Sequence, residues 1–246
     1  MIDKNNLLRS RLEDYVEDSY SENDYVKFTD FLDEFECSVV IEFFKSICFE
    51  NYILFGGYEQ ASRKMLAVFS DDTPNNFPFE ILKLQFSNKD YLNHRNILGA
   101  LMNLNIARST IGDICLIDEQ AYIFCTTAAA VVIKNELEYV GRSKILISEA
   151  EPMMDYSPKK VSEQYVISSE RLDCIISAVT NCSRNKAEEL ISSSLVFVNG
   201  AIEKNSSKKI KENSKISVRG FGKFEITDLS ERTRRDKIKL KIFKFI

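Results

Sequence analysis

Apolar residues recur at helical spacing near the start of the chain. Leu7, Leu8, Leu12, Tyr15 and Val16 alternate with acidic residues and predict an amphipathic helix over residues 5–18. A second helix is expected from Glu34 to Ser46, with Val39, Val40, Phe43 and Phe44 as its apolar positions. Tyr52 to Phe55 reads as a strand broken by Gly56-Gly57, and Arg63 to Phe69 as its return. The run Asp71-Asp72-Thr73-Pro74-Asn75-Asn76 is turn chemistry and marks a domain boundary.

The pattern then changes. Phe79 to Phe86 alternates as a strand does, and Asn96 to Leu104 carries Ile97, Leu98, Leu101 and Met102 at helical spacing. Ile114–Ile117 and Ala121–Cys125 are short strands joined through Asp118-Glu119-Gln120, a hairpin. Thr127 to Tyr139 reads as a helix ended near Gly141, and Lys144 to Ile147 as a strand. The order βαββαβ is that of the ferredoxin-like and RNA-recognition-motif plait. Tyr122 and Phe124 share a face of its third strand. Without the basic-Gly-aromatic signature of a base-reading strand, core packing is the stronger reading for this pair, and base stacking the lesser one.

A polar stretch from Glu149 to Gln164, with Pro152, Pro158 and Lys159-Lys160, reads as a linker. Beyond it two short helices are expected. Ser168 or Ser169 is placed to cap the first, which buries Leu172, Ile175, Ile176 and Val179; Ser183 caps the second, which buries Ala187, Leu190 and Ile191. Strands follow at Leu195–Val198, Ile216–Val218, Phe224–Ile226 and Lys237–Ile242. Asn199-Gly200 is a hairpin turn, and a basic loop runs from Lys208 to Lys215. In the last strand Lys alternates with Ile and Leu, which suits either a polyanion-binding face or an edge strand protected against aggregation. The reading is therefore α+β in three small domains: an acidic α+β domain (1–76), the plait (77–150), a linker (151–165) and a basic C-terminal domain (166–246).

Charge sharpens this picture. The net charge is −4 over 246 residues. Residues 1–75 hold 7 Lys/Arg against 16 Asp/Glu, residues 76–160 hold 9 against 10, and residues 161–246 hold 17 against 11, or −9, −1 and +6. A basic end on an acidic chain calls for a polyanionic partner, and nucleic-acid phosphate is the default. The starts of capped helices offer backbone N–H groups to phosphate. Arg184 and Lys186 stand in the first turn of a helix, where cations oppose its dipole and an anion would relieve the conflict. Arg95, Arg108 and Lys134 in the plait are further candidates for backbone contacts.

Other chemistries find little material. The 6 cysteines lack C-x-x-C spacing and four lie in apolar runs, which predicts free thiols rather than a disulfide frame or a zinc site. His94 is the single histidine. No apolar run approaches the roughly 18 residues that span a bilayer, and the first residues do not resemble a secretory signal. The expectation is a cytoplasmic monomer without metal or cofactor.

Arg171-Leu-Asp173, Ser183-Arg184 with Ala187, Val198-Asn199-Gly200, and Ile216-Ser-Val-Arg219-Gly220 with Gly222-Lys223-Phe224 together resemble the S-four (αL) RNA-binding domain of ribosomal proteins and rRNA-modifying enzymes. Ser194 stands where many members have Gly, and Glu212-Asn213-Ser214 replaces the usual Gly-Asp turn. Upstream, Gly56-Gly57-Tyr58-Glu59-Gln-Ala61 with Arg63-Lys64, His94-Arg95 with Leu98-Gly99-Ala100-Leu101-Met102, and Arg108 with Ile111-Gly112-Asp113-Ile114 are similar to the YlmH family of bacterial S-four proteins. Asn96 replaces that family's usual acid after His-Arg, and Asn105 its usual Gly. The resemblance implies a non-enzymatic factor that binds rRNA of the large ribosomal subunit, and peptidyl-tRNA, in ribosome-associated quality control of stalled nascent chains. By analogy with S-four proteins on ribosomes, Arg171, Arg184, Lys186, Lys208, Arg219 and Lys223 are the expected RNA backbone contacts.

Two rivals stand beside it. A pseudouridine synthase or methyltransferase would use the same domain for targeting, but the only G-x-G lies at Gly220-Phe-Gly222 inside the basic domain. Asp173, in the Arg-Leu-Asp triplet, is better placed for a structural ion pair or cap. The other rival is an interaction protein linked to cell division, acting through the acidic first domain.

Overall fold

The computed structural model describes residues 4–150, 156 and 160–245. They fall into two compact units, 1–157 and 158–246. The expected linker residues Pro152, Pro158 and Lys159 lie outside the described residues.

The first unit opens with α1 (Lys4–Ser21), β1 (Val26–Phe28), α2 (Glu34–Ser46), β2 (Tyr52–Phe55) and β3 (Met65–Phe69). The three strands form an antiparallel sheet in the order β1-β3-β2. A capping box starts α2: the Glu36 amide donates to Asp33 Oδ1 at 2.8 Å, and the Asp33 amide to Glu36 Oε2 at 2.9 Å. The two helices bury Leu8, Leu12, Val40 and Phe44 against Leu66 and Val68 of β3.

A second sheet follows, from β4 (Phe79–Phe86), α3 (His94–Met102), β5 (Ile111–Ile117), β6 (Gln120–Thr126), α4 (Thr127–Glu136), β7 (Tyr139–Val140) and β8 (Ser143–Glu149). Its order, β5-β6-β4-β8-β7, is antiparallel throughout. Set aside the short edge strand β7, and this is the split βαβ topology expected from the sequence. The expected helix to Tyr139 stops at Glu136, and Tyr139 begins β7 instead. One face of the sheet packs Leu82, Leu84, Ile123 and Cys125 against Ile97 and Leu101 of α3 and Ala130 and Ile133 of α4.

The opposite face is also buried. Ile81, Cys115, Tyr122 and Phe124 share a core with Phe31 and Met65 from the first sheet's segment and with Tyr156. The boundary expected at residue 76 therefore runs through one packed unit. Asp113 ties the two parts together, accepting from the Tyr58 hydroxyl (2.7 Å) and from the amides of Ser62 (2.7 Å) and Arg63 (3.1 Å). Burial, then the charge of Asp113, pushes the Tyr58 phenol far above its ordinary value, so it stays a donor. Arg63 in turn donates to the carbonyls of Ile111 (2.9 Å) and Phe31 (2.7 Å). Gly57, at φ +96°, lets the backbone lie on Phe124; a Cβ there would fall 2.3 Å from the ring.

The second unit contains β9 (Lys160–Ile167), α5 (Leu172–Val179), α6 (Arg184–Ser192), β10 (Val196–Val198), β11 (Ala201–Ile202), β12 (Lys215–Val218), β13 (Gly222–Asp228) and β14 (Ile238–Phe245). They form one antiparallel six-stranded sheet in the order β11-β10-β12-β13-β14-β9. Residues 160–165, expected in a linker, belong to β9 because their amides and carbonyls pair along the whole of β14. That pairing also corrects the reading of β14 as an edge: it lies between β13 and β9, so its lysines need another reason. The helices cover one face, burying Leu172, Ile175, Ile176, Leu190 and Ile191 against Val196, Val218, Ile226 and Leu240.

Loops follow their residues. Asn199 (φ +50°) and Gly200 (φ +82°) close a two-residue hairpin with both centres left-handed. Ser194 (φ +59°) and Asn213 (φ +62°) sit at the two departures from the family pattern and hold left-handed backbone without glycine.

Two stability predictions follow from this geometry. Gly57→Ala places a methyl into Phe124 at a positive φ and is expected to cost about 2 kcal/mol or more; an unchanged thermal midpoint would contradict the packing described. Ser194→Gly removes an unfavourable left-handed serine and is expected to raise stability by up to about 1 kcal/mol. Calorimetry checks it, and a lower midpoint counts against the assigned backbone.

Candidate nucleic-acid interface

The basic unit is organised around one buried carboxylate. Asp173 is fully buried in the first turn of α5. Arg171 grips it with two hydrogen bonds, Nε to Oδ1 at 3.0 Å and Nη2 to Oδ2 at 2.8 Å. Arg184, the first residue of α6, donates from Nη2 to Oδ2 at 2.8 Å. The Cys174 amide completes the set at 2.9 Å to Oδ1. The carboxylate's four lone-pair sites are thus filled. Burial alone would raise its pKa, but the hydrogen bonds from Arg171 and Arg184 outweigh that and hold the carboxyl well below the usual range. The structural ion pair expected for Asp173 is present, and it joins the starts of both helices.

The two guanidinium groups remain at the surface, with side chains 37% and 52% exposed. Arg171 uses two of its five N–H donors on Asp173 and Arg184 uses one, so each fork keeps donors facing outward. Two positive charges meet one negative charge, and the surplus stays positive.

The basic loop docks on the same place. Leu172 and Asp173 donate their amides to the carbonyls of Lys208 (2.9 Å) and Ser206 (3.0 Å), and Lys209 bridges to Arg171. This corrects the expected cap of α5: the N-cap is Arg171, without a side-chain bond, and loop carbonyls take the amides expected to face phosphate. At α6 the expected cap is present, with Ser183 Oγ accepting from the Lys186 amide at 3.2 Å. The amides of Arg184 and Asn185, in the first turn, lie outside the helix's own ladder.

The remaining candidates separate. Lys186 pairs with Glu189 at 2.9 Å and Lys208 with Glu203 at 2.6 Å, both at the surface near the helix starts. Arg219 and Lys223 instead lie on the sheet face away from the helices, over Phe197 (5.2 Å) and Phe245 (5.4 Å). In the first unit Arg95 is exposed beside an open groove between α3 and β7. Arg108 is half-buried and donates to the Ile111 carbonyl at 2.5 Å; burial first, then the charge of Arg63, lowers its pKa to about 10. Arg108 thus gives one donor to the main chain and is partly withdrawn from solvent. Lys134 is held by Glu80 and Glu149, each at 2.7 Å. Tyr122 and Phe124 are buried in the core and present no ring face for a base.

Sequence reasoning missed Lys160, Lys209 and the tip of the β13–β14 hairpin, where Arg234, Arg235 and Lys237 are exposed. The signal was there in Arg234-Arg235-Asp236-Lys237, a basic cluster at a turn. Among the described residues no three His, Cys, Asp or Glu side chains come together as a metal site, and no helix is long and apolar enough to cross a membrane. None of the cysteines is in a disulfide; four are buried and Cys48 is exposed.

Two helices on an antiparallel sheet, with arginines fixed at the helix starts, define a small RNA-binding module. Comparison with known families agrees: residues 170–216 match the S4 domain, and residues 73–153 match a family described as a putative RNA-binding domain in YlmH. The chain thus carries, side by side, a segment similar to the S4 domain and one similar to the RNA-binding domain of YlmH. It is 27% identical over 219 residues to the ribosome-associated protein quality control protein P2 of Bacillus subtilis (strain 168), covering 86% of this chain and 84% of that one. A solved structure, the cell division protein ylmH from Streptococcus pneumoniae, shares the fold at a TM-score of 0.51 and 19% identity, over 61% of this chain and 93% of the other.

The Asp173 arrangement makes a pH prediction. A carboxyl whose folded pKa is depressed contributes stability above its unfolded value of about 4 and loses it as the pH falls through the folded value. Asp173→Asn is expected to lower the thermal midpoint at pH 7, with the gap narrowing progressively as the pH falls below about 4. A gap that is constant with pH would show that Asp173 does not act through its charge.

Proposed function

We propose that this chain binds the large ribosomal subunit, contacting its rRNA and the peptidyl-tRNA it retains, during quality control of stalled nascent chains. The single observation that carries the reading is the pair Arg171 and Arg184, locked side by side on buried Asp173 with their outer donors exposed. Guanidinium forks held in fixed geometry suit phosphate oxygens, and pre-ordering them reduces the entropy lost on binding. Lys186, Lys208, Lys209 and the arginines of the β13–β14 hairpin add positive charge without base selectivity. Recognition is then by backbone position and RNA shape. The choice of ribosome over another RNA rests on the similarity to the Bacillus subtilis ribosome-associated quality control protein. On this reading the protein works in the cytoplasm as a monomer and needs no cofactor.

The test is sedimentation of translating-cell lysate through a sucrose gradient. The parent protein is expected with large subunits. Arg184→Ala combined with Lys186→Glu leaves Arg171 on Asp173 and, in a variant shown to be folded by its circular-dichroism melt, should shift most of the protein to the top. Charge-assisted bonds of this kind support a loss of roughly 10- to 100-fold in affinity. The parent's affinity should also fall steeply with salt, and Lys186→Ala should reduce the log–log slope by about 1. A parent that stays at the top of the gradient, or a variant that still travels with the subunits, overturns the proposal.

A further inference from the structure

The sheet of the second unit has a face that its helices do not cover, and its composition is unusual. The pairing register runs one row across five strands: Phe197 of β10 opposite Ser217 of β12, Ser217 opposite Lys223 of β13, Lys223 beside Phe245 of β14, and Phe245 opposite Lys160 of β9. Phe243 lies one pleat away on the same face, 37% exposed. Each ring has a cation on it. Arg219 sits 5.2 Å from the Phe197 centroid; Lys160 sits 4.9 Å from Phe245 and 5.5 Å from Phe243; Lys223 sits 5.4 Å from Phe245. Lys239 and Lys241 continue the face, steadied by Asp228 and Glu231.

We infer that this face is a second RNA surface, distinct from the helix starts, which takes a single-stranded segment by stacking bases on Phe197, Phe243 and Phe245. Phe243 is exposed and Phe197 and Phe245 are half-buried; an apolar patch of this kind would be a liability without a partner, and an interior strand gains no protection against aggregation from lysines. Cations poised on ring faces mark a place where a flat π-system slides onto the ring while the displaced ammonium or guanidinium meets the adjoining phosphate. The row from Phe197 to Phe245 crosses three strand spacings, about 14 Å, which accommodates a short run of nucleotides. Stacking of this kind tolerates any base, so the ligand is single-stranded RNA without a fixed sequence. The inference does not depend on the ribosome reading, because the face lies opposite α5 and α6 and the ligand is unpaired.

The experiment is fluorescence anisotropy of a labelled twelve-residue oligouridine, which has no secondary structure, with the full-length chain. Phe197→Ala and Phe243→Ala should each weaken binding by roughly 5- to 100-fold, the range for losing one stacked base. Phe243→Tyr keeps a π-face and should stay within about 3-fold of the parent. Phe243→Leu keeps the apolar contact without the π-face, so a folded Leu variant, judged by its circular-dichroism melt, should lose affinity as the Ala variant does. Arg184→Ala should bind the oligouridine as the parent does while losing large-subunit association, which separates this inference from the ribosome proposal. A parent that fails to bind the oligomer overturns the inference. So does a folded Leu variant of parental affinity, or loss of oligouridine binding with Arg184→Ala alone.

Discussion

A carboxylate with no access to water must have its charge answered within the protein, and Asp173 is answered by two arginines from opposite sides of a helix–turn–helix. That requirement orders much of the second unit. It fixes the start of α6 against the start of α5 and draws the basic loop onto the α5 amides. It also relieves the cost of a cation at the start of α6, because the acid on α5 stands beside it. The arginines are exposed enough to meet a ligand and constrained enough to lose little freedom on doing so.

The first unit uses the same device for a different end. Asp113 gathers Tyr58, Ser62 and Arg63, and so clamps the first sheet's segment over the open face of the plait. An RNA-recognition motif uses that face to stack bases. Here Tyr122 and Phe124 lie beneath Tyr58 and Tyr156 instead. The plait supports a packed unit, and the aromatic–cation face belongs to the sheet of the second unit.

Much of this was legible in the sequence because the elements are locally consistent. The bounds of α2, β2 and β4 coincide with their apolar periodicity, and Asn199-Gly200 announced its hairpin. The residues of the YlmH resemblance were legible too, although Gly57, Arg63 and Asp113 turn out to hold a core together. What could not be read was long-range. β9 has the polar composition of a linker and becomes a strand only because β14, more than 70 residues later, pairs with it. For the same reason Lys160 and the β14 lysines could not be assigned to a shared face. The N-cap of α5 was misplaced because loop carbonyls far along the chain, not a nearby serine, satisfy its amides. The resemblance to S-four proteins grouped Arg171, Arg184, Arg219 and Lys223, and only the sheet separates the first two from the last two.

The central claim is that RNA meets the chain at the Asp173-organised helix starts. Site-specific photocrosslinking in living cells tests it most directly. A photoreactive phenylalanine analogue is placed at Asn185, exposed beside Arg184, or at Tyr20, exposed on α1 in the acidic first unit. The account predicts that Asn185 captures rRNA of the large subunit and Tyr20 does not. Capture from Tyr20 with none from Asn185 would contradict it.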